Sequence, residues 1–198
     1  MRIILGIGNP EKRYRFNRHN VGFMFLDHLA EKFSLTFNPS KFDYLAASGK
    51  IEKEPYTLVY PTTYVNNSGI AAADAIKNYG VDLKDFLVVV DDVNLEFSKL
   101  RIRASGGDGG HNGLNSIIYH LSSEQFPRLR VGVGSSFEKG YMADYVLTDF
   151  DKKERKILEK TFNTGEILTI EFIKGGLEAM LNANSRLSKL DKDENIVN

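Results

Sequence analysis

The chain contains no cysteine. Disulfides, thiolate metal sites and cysteine nucleophiles are thereby excluded. It also lacks long apolar runs, since no stretch approaches the roughly 20 residues needed to span a bilayer. The opening Met1-Arg2-Ile3-Ile4-Leu5-Gly6 is too short for a signal peptide and is broken by glycine. These absences point to a cytoplasmic protein with no membrane partner. There is no net charge either, because 26 Lys and Arg balance 26 Asp and Glu. Histidine is scarce: there are four, and two of them, His19 and His111, are followed at once by Asn.

What is present is ordinary for a globular protein, with 42% hydrophobic and 26% charged residues in 198. A domain of that size buries roughly 70% of its unfolded surface and needs no covalent staples. No repeat, linker or composition break divides the chain. We expect one catalytic α/β domain over residues 1–186 and a charged, frayed tail over 187–198. The charge is unevenly spread. Residues 1–20 carry five Lys or Arg against one acid, and residues 99–134 carry five against two. Two basic segments on a neutral chain suit a local face for a polyanion, although a solvated loop accounts for Lys12, Arg13, Arg15 and Arg18 equally well.

Periodicity predicts the elements. A short apolar run over residues 2–7 reads as a buried strand, and the spacing of Phe25, Leu26, Leu29, Ala30 and Phe33 as an amphipathic helix. Strands are expected over 44–52 and 56–60, joined around Glu54-Pro55. A helix capped by Asn67 or Ser68 should then run to a stop at Gly80. The valine-rich run 86–90 reads as a central strand buried on both faces. Residues 100–104 alternate apolar and basic, a glycine-rich loop covers 105–110, a helix follows around 114–121, and 128–133 reads as another strand. The polar segment 135–145 suits a mobile loop, and 151–176 a largely helical region. Strand, loop and helix in this order indicate an α/β fold.

Three separated segments carry chemistry: Gly6-Ile7-Gly8-Asn9-Pro10 with Arg18-His19-Asn20-Val21-Gly22, then Asp91-Asp92, then Gly109-Gly110-His111-Asn112-Gly113. His19 follows the first strand, where open α/β sheets place working groups. A carboxylate leaving the end of the 86–90 strand could accept a hydrogen bond from its ring, fix the tautomer and strengthen the other nitrogen as a base. Asn9, Asn66 and Asn112 offer uncharged donors and acceptors that hold a carbonyl, an amide or a water. Each of these residues also has a bland reading, as a helix entry, a strand cap or a turn. Asp91 and Asp92 could instead hold a hard cation. Gly6-Ile7-Gly8 lacks the third glycine of a dinucleotide fingerprint, and Gly106–Gly110 lacks the Gly-Lys-Ser/Thr ending of a phosphate loop. Ser68 has no nucleophile elbow around it and reads as a helix cap.

The motifs, taken in order, resemble bacterial-type peptidyl-tRNA hydrolases from Gly6 to about Asn184. The carriers are the two early segments with Tyr14 and Phe23, Pro61-Thr62-Thr63-Tyr64-Val65-Asn66-Asn67-Ser68-Gly69, Asp91-Asp92, Lys99-Leu100-Arg101, Gly109–Leu114 and Arg128–Gly134. The resemblance implies a single α/β domain with a twisted mixed β-sheet flanked by helices, acting as a monomer without cofactor or metal. Its implied reaction is hydrolysis of the ester joining a peptide, or another N-blocked aminoacyl group, to tRNA. The implied roles are His19 as base, Asp91 as its partner and Asn9 as the discriminator of a blocked from a free amine. Tyr14, Tyr64, Asn66 and Asn112 fall on substrate-binding positions, and Arg103 and Arg130 near the tRNA 5′ phosphate. Glu11 departs from a usual glycine, Asn17 from threonine, Val65 from methionine, and Asn94 and Glu96-Phe97-Ser98 from the usual loop after the acids. A non-catalytic RNA-binding module on the same scaffold is the competing class.

Overall fold

In a computed structural model of the chain, residues 1–194 are described, with side chains as far as Lys189. Seven strands form one sheet in the order β2-β3-β4-β1-β5-β7-β6. They are β1 (Arg2–Gly6), β2 (Asn38–Pro39), β3 (Tyr44–Ile51), β4 (Glu54–Pro61), β5 (Phe86–Asp92), β6 (Leu100–Arg103) and β7 (Arg128–Gly132). The central four, β4-β1-β5-β7, run parallel, while β3 and β6 extend the sheet antiparallel on either side. This is the mixed α/β sheet expected.

Alternation along the strands builds two cores. Ile4, Leu87, Val89, Leu129 and Val131 pack on one face beneath α1 (Val21–Lys32) and α5 (Lys152–Glu194). Ile3, Leu5, Val88 and Val90 pack on the other beneath α2 (Ser68–Tyr79) and α3 (Asn112–Leu121). Every residue of β5 is buried, as a strand covered on both faces requires. The chain leaves β1 for β4 on one side and returns to β5 on the other, so the strand order reverses at β1. The crevice outside the carboxyl ends of β1 and β5 is where open α/β sheets bind ligands. No described helix is long and apolar enough to cross a membrane.

Several expectations are corrected. The hairpin turns at Glu52-Lys53, with Glu52 at φ 56, and Glu54-Pro55 already lies in β4. Pro55 is tolerated there because pairing with β1 begins only at Tyr56, so no partner awaits the missing N–H. Neither Asn67 nor Ser68 caps α2 with its side chain. A 3-10 turn, Val65–Asn67, leads directly into that helix, and the buried Ser68 hydroxyl donates back to the Val65 carbonyl at 2.9 Å. Part of the 135–145 loop is helical, as α4 (Met142–Val146). The long helix continues past a break at Gly176 (φ 72) to Glu194. Of the tail expected over 187–198, residues 187–194 are helical and 195–198 lie outside the described residues.

Candidate active site

His19 lies in a 3-10 turn, Arg18–Asn20, that feeds α1. That turn is pinned from the far side. The Asn17 amide donates to the Leu147 carbonyl at 2.7 Å and the Arg18 N–H to the Thr148 carbonyl at 3.0 Å. The Arg18 guanidinium pairs with Glu154 at 2.9 Å and lies 4.8 Å from the ring centroids of both Tyr145 and Phe150. Asp91 emerges from the carboxyl end of β5, almost fully buried. His19 Nδ1 and Asp91 Oδ1 are 2.9 Å apart.

A second imidazole meets the same oxygen. His111 Nε2 is 2.9 Å from Asp91 Oδ1, and the two rings stand 4.8 Å apart. His111 is the N-cap of α3, and its Nδ1 accepts the N–H groups of Gly113 and Leu114 at 3.1 and 3.2 Å. Backbone amides can only donate, so Nδ1 carries no proton and Nε2–H donates to Asp91. Gly109 (φ 60) and Gly110 (φ 82) adopt the left-handed conformation that turns the chain into this cap. Beneath them Arg128 donates to the carbonyls of Gly106 and Gly107.

With Asp91 accepting from His19 Nδ1–H, His19 Nε2 is left as the basic nitrogen, and it has no protein partner among the described residues. Burial works to lower the His19 pKa, but the Asp91 charge and hydrogen bond outweigh it and hold the group above its ordinary 6.5. For Asp91 burial works upward, yet the flanking imidazoles keep its carboxyl well below the usual carboxylate range. The group is ionised wherever the protein is folded near neutrality.

The pair opens on a cavity of about 520 Å³. Asn9 lines it with its amide orientation fixed: the Val65 N–H donates to Asn9 Oδ1 at 3.1 Å, so the Nδ2 donors are what it can present. Asn20 anchors the Asn9 backbone by two bonds, at 2.8 and 2.9 Å. Asn66, after β4, and Asn112, opening α3, are both exposed on the cavity wall.

A family model described as peptidyl-tRNA hydrolase matches residues 3–193. The chain belongs to the peptidyl-tRNA hydrolase family. Curated peptidyl-tRNA hydrolases from Thermoanaerobacter pseudethanolicus and Caldanaerobacter subterraneus subsp. tengcongensis are 40% and 42% identical over 178 residues, 90% of this chain and 96% of theirs. The crystal structure of peptidyl-tRNA hydrolase from Acinetobacter baumannii superposes with a TM-score of 0.85 at 30% identity, covering 92% of this chain and 93% of that one.

Of the residues expected at the site, His19, Asp91, Asn9, Tyr64, Asn66, Asn112 and Arg130 line the cavity. Tyr14 and Arg103 do not. Tyr14 is on the 3-10 turn Lys12–Tyr14 outside the wall, its ring under the Arg13 guanidinium at 4.7 Å. Arg103 is exposed at the end of β6, opposite Arg128. His111, which shares the Asp91 oxygen with His19, is not among the residues expected at the site. Its signal was the second His-Asn pair, directly after glycines, but nothing local says that two distant imidazoles share one carboxylate.

The geometry does not favour the alternative cation site on Asp91 and Asp92. Successive residues of β5 point to opposite faces. Asp92 instead faces Arg130 Nε at 3.1 Å and accepts the Asn94 N–H at 2.9 Å. His19, Asp91 and His111 do cluster tightly enough to ligate one ion. The donor set fits poorly, because His111 could turn a lone pair toward Asp91 only by placing a proton on Nδ1 against two backbone N–H groups.

Proposed function

We infer that this chain hydrolyses the ester between an N-blocked aminoacyl or peptidyl group and the 3′ ribose of tRNA, with water as nucleophile. The observation that carries the mechanism is the contact of His19 Nδ1 with Asp91 Oδ1 at 2.9 Å, at the floor of a cavity and with the second imidazole nitrogen unoccupied. His19 Nε2 takes a proton from water as the oxygen attacks the ester carbonyl carbon. The tetrahedral adduct collapses with loss of the ribose 3′ oxygen, which takes the proton back from the imidazolium. Asp91 orients the ring and balances its transient charge.

Asn9 reads the amine. Its Nδ2 donors suit the carbonyl of a blocked amino group, whereas the ammonium of a free aminoacyl group would meet donors only. Asn66 and Asn112, on two walls, hold the remaining carbonyls and stabilise the oxyanion. The tRNA backbone lies along Arg130 and the strand beside it. In register, Arg101 faces Arg130 and Arg103 faces Arg128, like-charge pairs that a polyanion relieves. We further infer that the protein acts as a monomer in the cytoplasm, where its substrate is made. A binding module without turnover would have no use for a base and carboxylate aimed into the cavity.

His19→Ala tests the reading. General-base assistance contributes about 10²–10⁴-fold, so kcat on an N-acetylaminoacyl-tRNA should fall by that factor while tRNA affinity stays near wild type. Normal turnover by the variant would overturn the assignment.

A further inference from the structure

Glu11 lies outside the cavity lining but touches Tyr64, which is part of it, and none of the roles above uses it. It follows Asn9-Pro10 in the loop after β1, while Tyr64 follows β4. These strands are parallel neighbours, so the two loops leave the sheet side by side. The Tyr64 hydroxyl donates to Glu11 Oε1. Glu11 Oε2 pairs with Arg13 Nε at 2.9 Å, and Arg13 stacks on Tyr14. The Tyr64 ring is 46% exposed and forms the cavity wall beside Asn9 and Asn66. Among the described residues the bond to Glu11 is the only one made by its side chain.

An exposed tyrosine with a solvated hydroxyl samples several rotamers, and fixing it on binding costs entropy. A wall fixed beforehand avoids that cost. We propose that Glu11 is a positioning residue for substrate binding: it holds Tyr64 in place as the wall of the acyl groove beside Asn9, with Arg13 compensating its charge. The proposal rests on the hydrolase reading, and it makes Tyr14 part of the same support although that ring does not touch the cavity.

The sign of one effect separates this role from that of an ordinary surface acid. Removing a mere surface acid from a basic loop leaves Arg13 unpaired, strengthens attraction for tRNA and lowers KM. Removing a brace for Tyr64 raises it.

The test is steady-state hydrolysis of an N-acetylaminoacyl-tRNA at fixed salt by the wild type, Glu11→Ala, Glu11→Gln, Tyr64→Phe and the Glu11→Ala/Tyr64→Phe double variant. Glu11→Ala and Tyr64→Phe should each raise KM about three- to tenfold, the range of one hydrogen bond. In both, kcat should stay within about twofold of wild type. Glu11→Gln, which keeps an acceptor for the hydroxyl, should recover most of the loss. The double variant should match Glu11→Ala alone, because the two changes remove one interaction. Glu11 is in a partly exposed loop, and a thermal melt checks that each variant is folded. A KM that falls or stays level in Glu11→Ala, additive effects in the double variant, or Glu11→Gln behaving as Glu11→Ala would each overturn the proposal. A wild type that releases no acyl group would instead sink the hydrolase reading itself.

Discussion

Asp91 receives two imidazoles on one oxygen, and their jobs differ because their other nitrogens meet different surroundings. His111 Nδ1 is bound by two backbone amides, which locks the ring as a donor. His19 Nε2 faces the cavity and can accept a proton. Since Asp91 holds the His19 pKa above 6.5, kcat/KM should fall as pH drops through that raised value and the base becomes protonated. In Asp91→Asn the charge that raises the pKa is gone and burial, which lowers it, remains. The acid limb should therefore move to lower pH, while the maximal rate falls because the imidazolium has lost its counter-charge. A kcat/KM profile against pH checks both effects, and an unmoved limb would leave Asp91 a purely structural role.

At the scale of elements, the site depends on two helices arriving from opposite faces of the sheet. α1 brings His19 from one face and α3 brings His111 from the other. Their amino-terminal ends converge on the buried carboxylate, where positive dipole ends favour an anion. α3 is set by its crossing with α2. A Cβ at Gly69 would come within 2.1 Å of the Ser116 carbonyl oxygen and 2.5 Å of His120 Nδ1. The Gly69 N–H also donates to the Ser116 hydroxyl at 3.0 Å. Gly69→Ala must push the helices apart, and overpacking of this kind costs about 1–3 kcal/mol. Urea unfolding should show that loss. Activity of the folded fraction should fall as well, because α3 carries the cap that aims His111.

Over the whole molecule, a neutral chain presents a local basic surface. Arg101 and Arg130 are cross-strand neighbours beside the cavity, and Arg103 and Arg128 repeat the pattern two residues along. Arg130 is held by buried Asp92, and Arg128 by loop carbonyls, so the outer edge strand supplies the exposed charge. Binding of tRNA should weaken steeply with salt. Arg101→Gln should reduce the slope of log Kd against log salt by about 0.7–0.9, the share of one phosphate contact. Hydrolysis of a short peptidyl-adenosine ester, which lacks that backbone, should respond far less to both salt and the substitution.

The order of the longer strands and helices, though not β2 or α4, the buried run ending in Asp91 and the candidacy of His19 were legible because they rest on local patterns: apolar period, turn residues and the position of polar groups at strand ends. Errors of detail fell where a local preference yielded to sheet register, as at Pro55, or to a turn running straight into a helix, as at Ser68. Three matters were decided by the tertiary structure alone. They are the meeting of His111 with His19 on one oxygen, the exclusion of Tyr14 from the wall, and the link from Glu11 to Tyr64. Each depends on which loops leave neighbouring strands, and strand neighbours are fixed by packing between segments far apart in the chain.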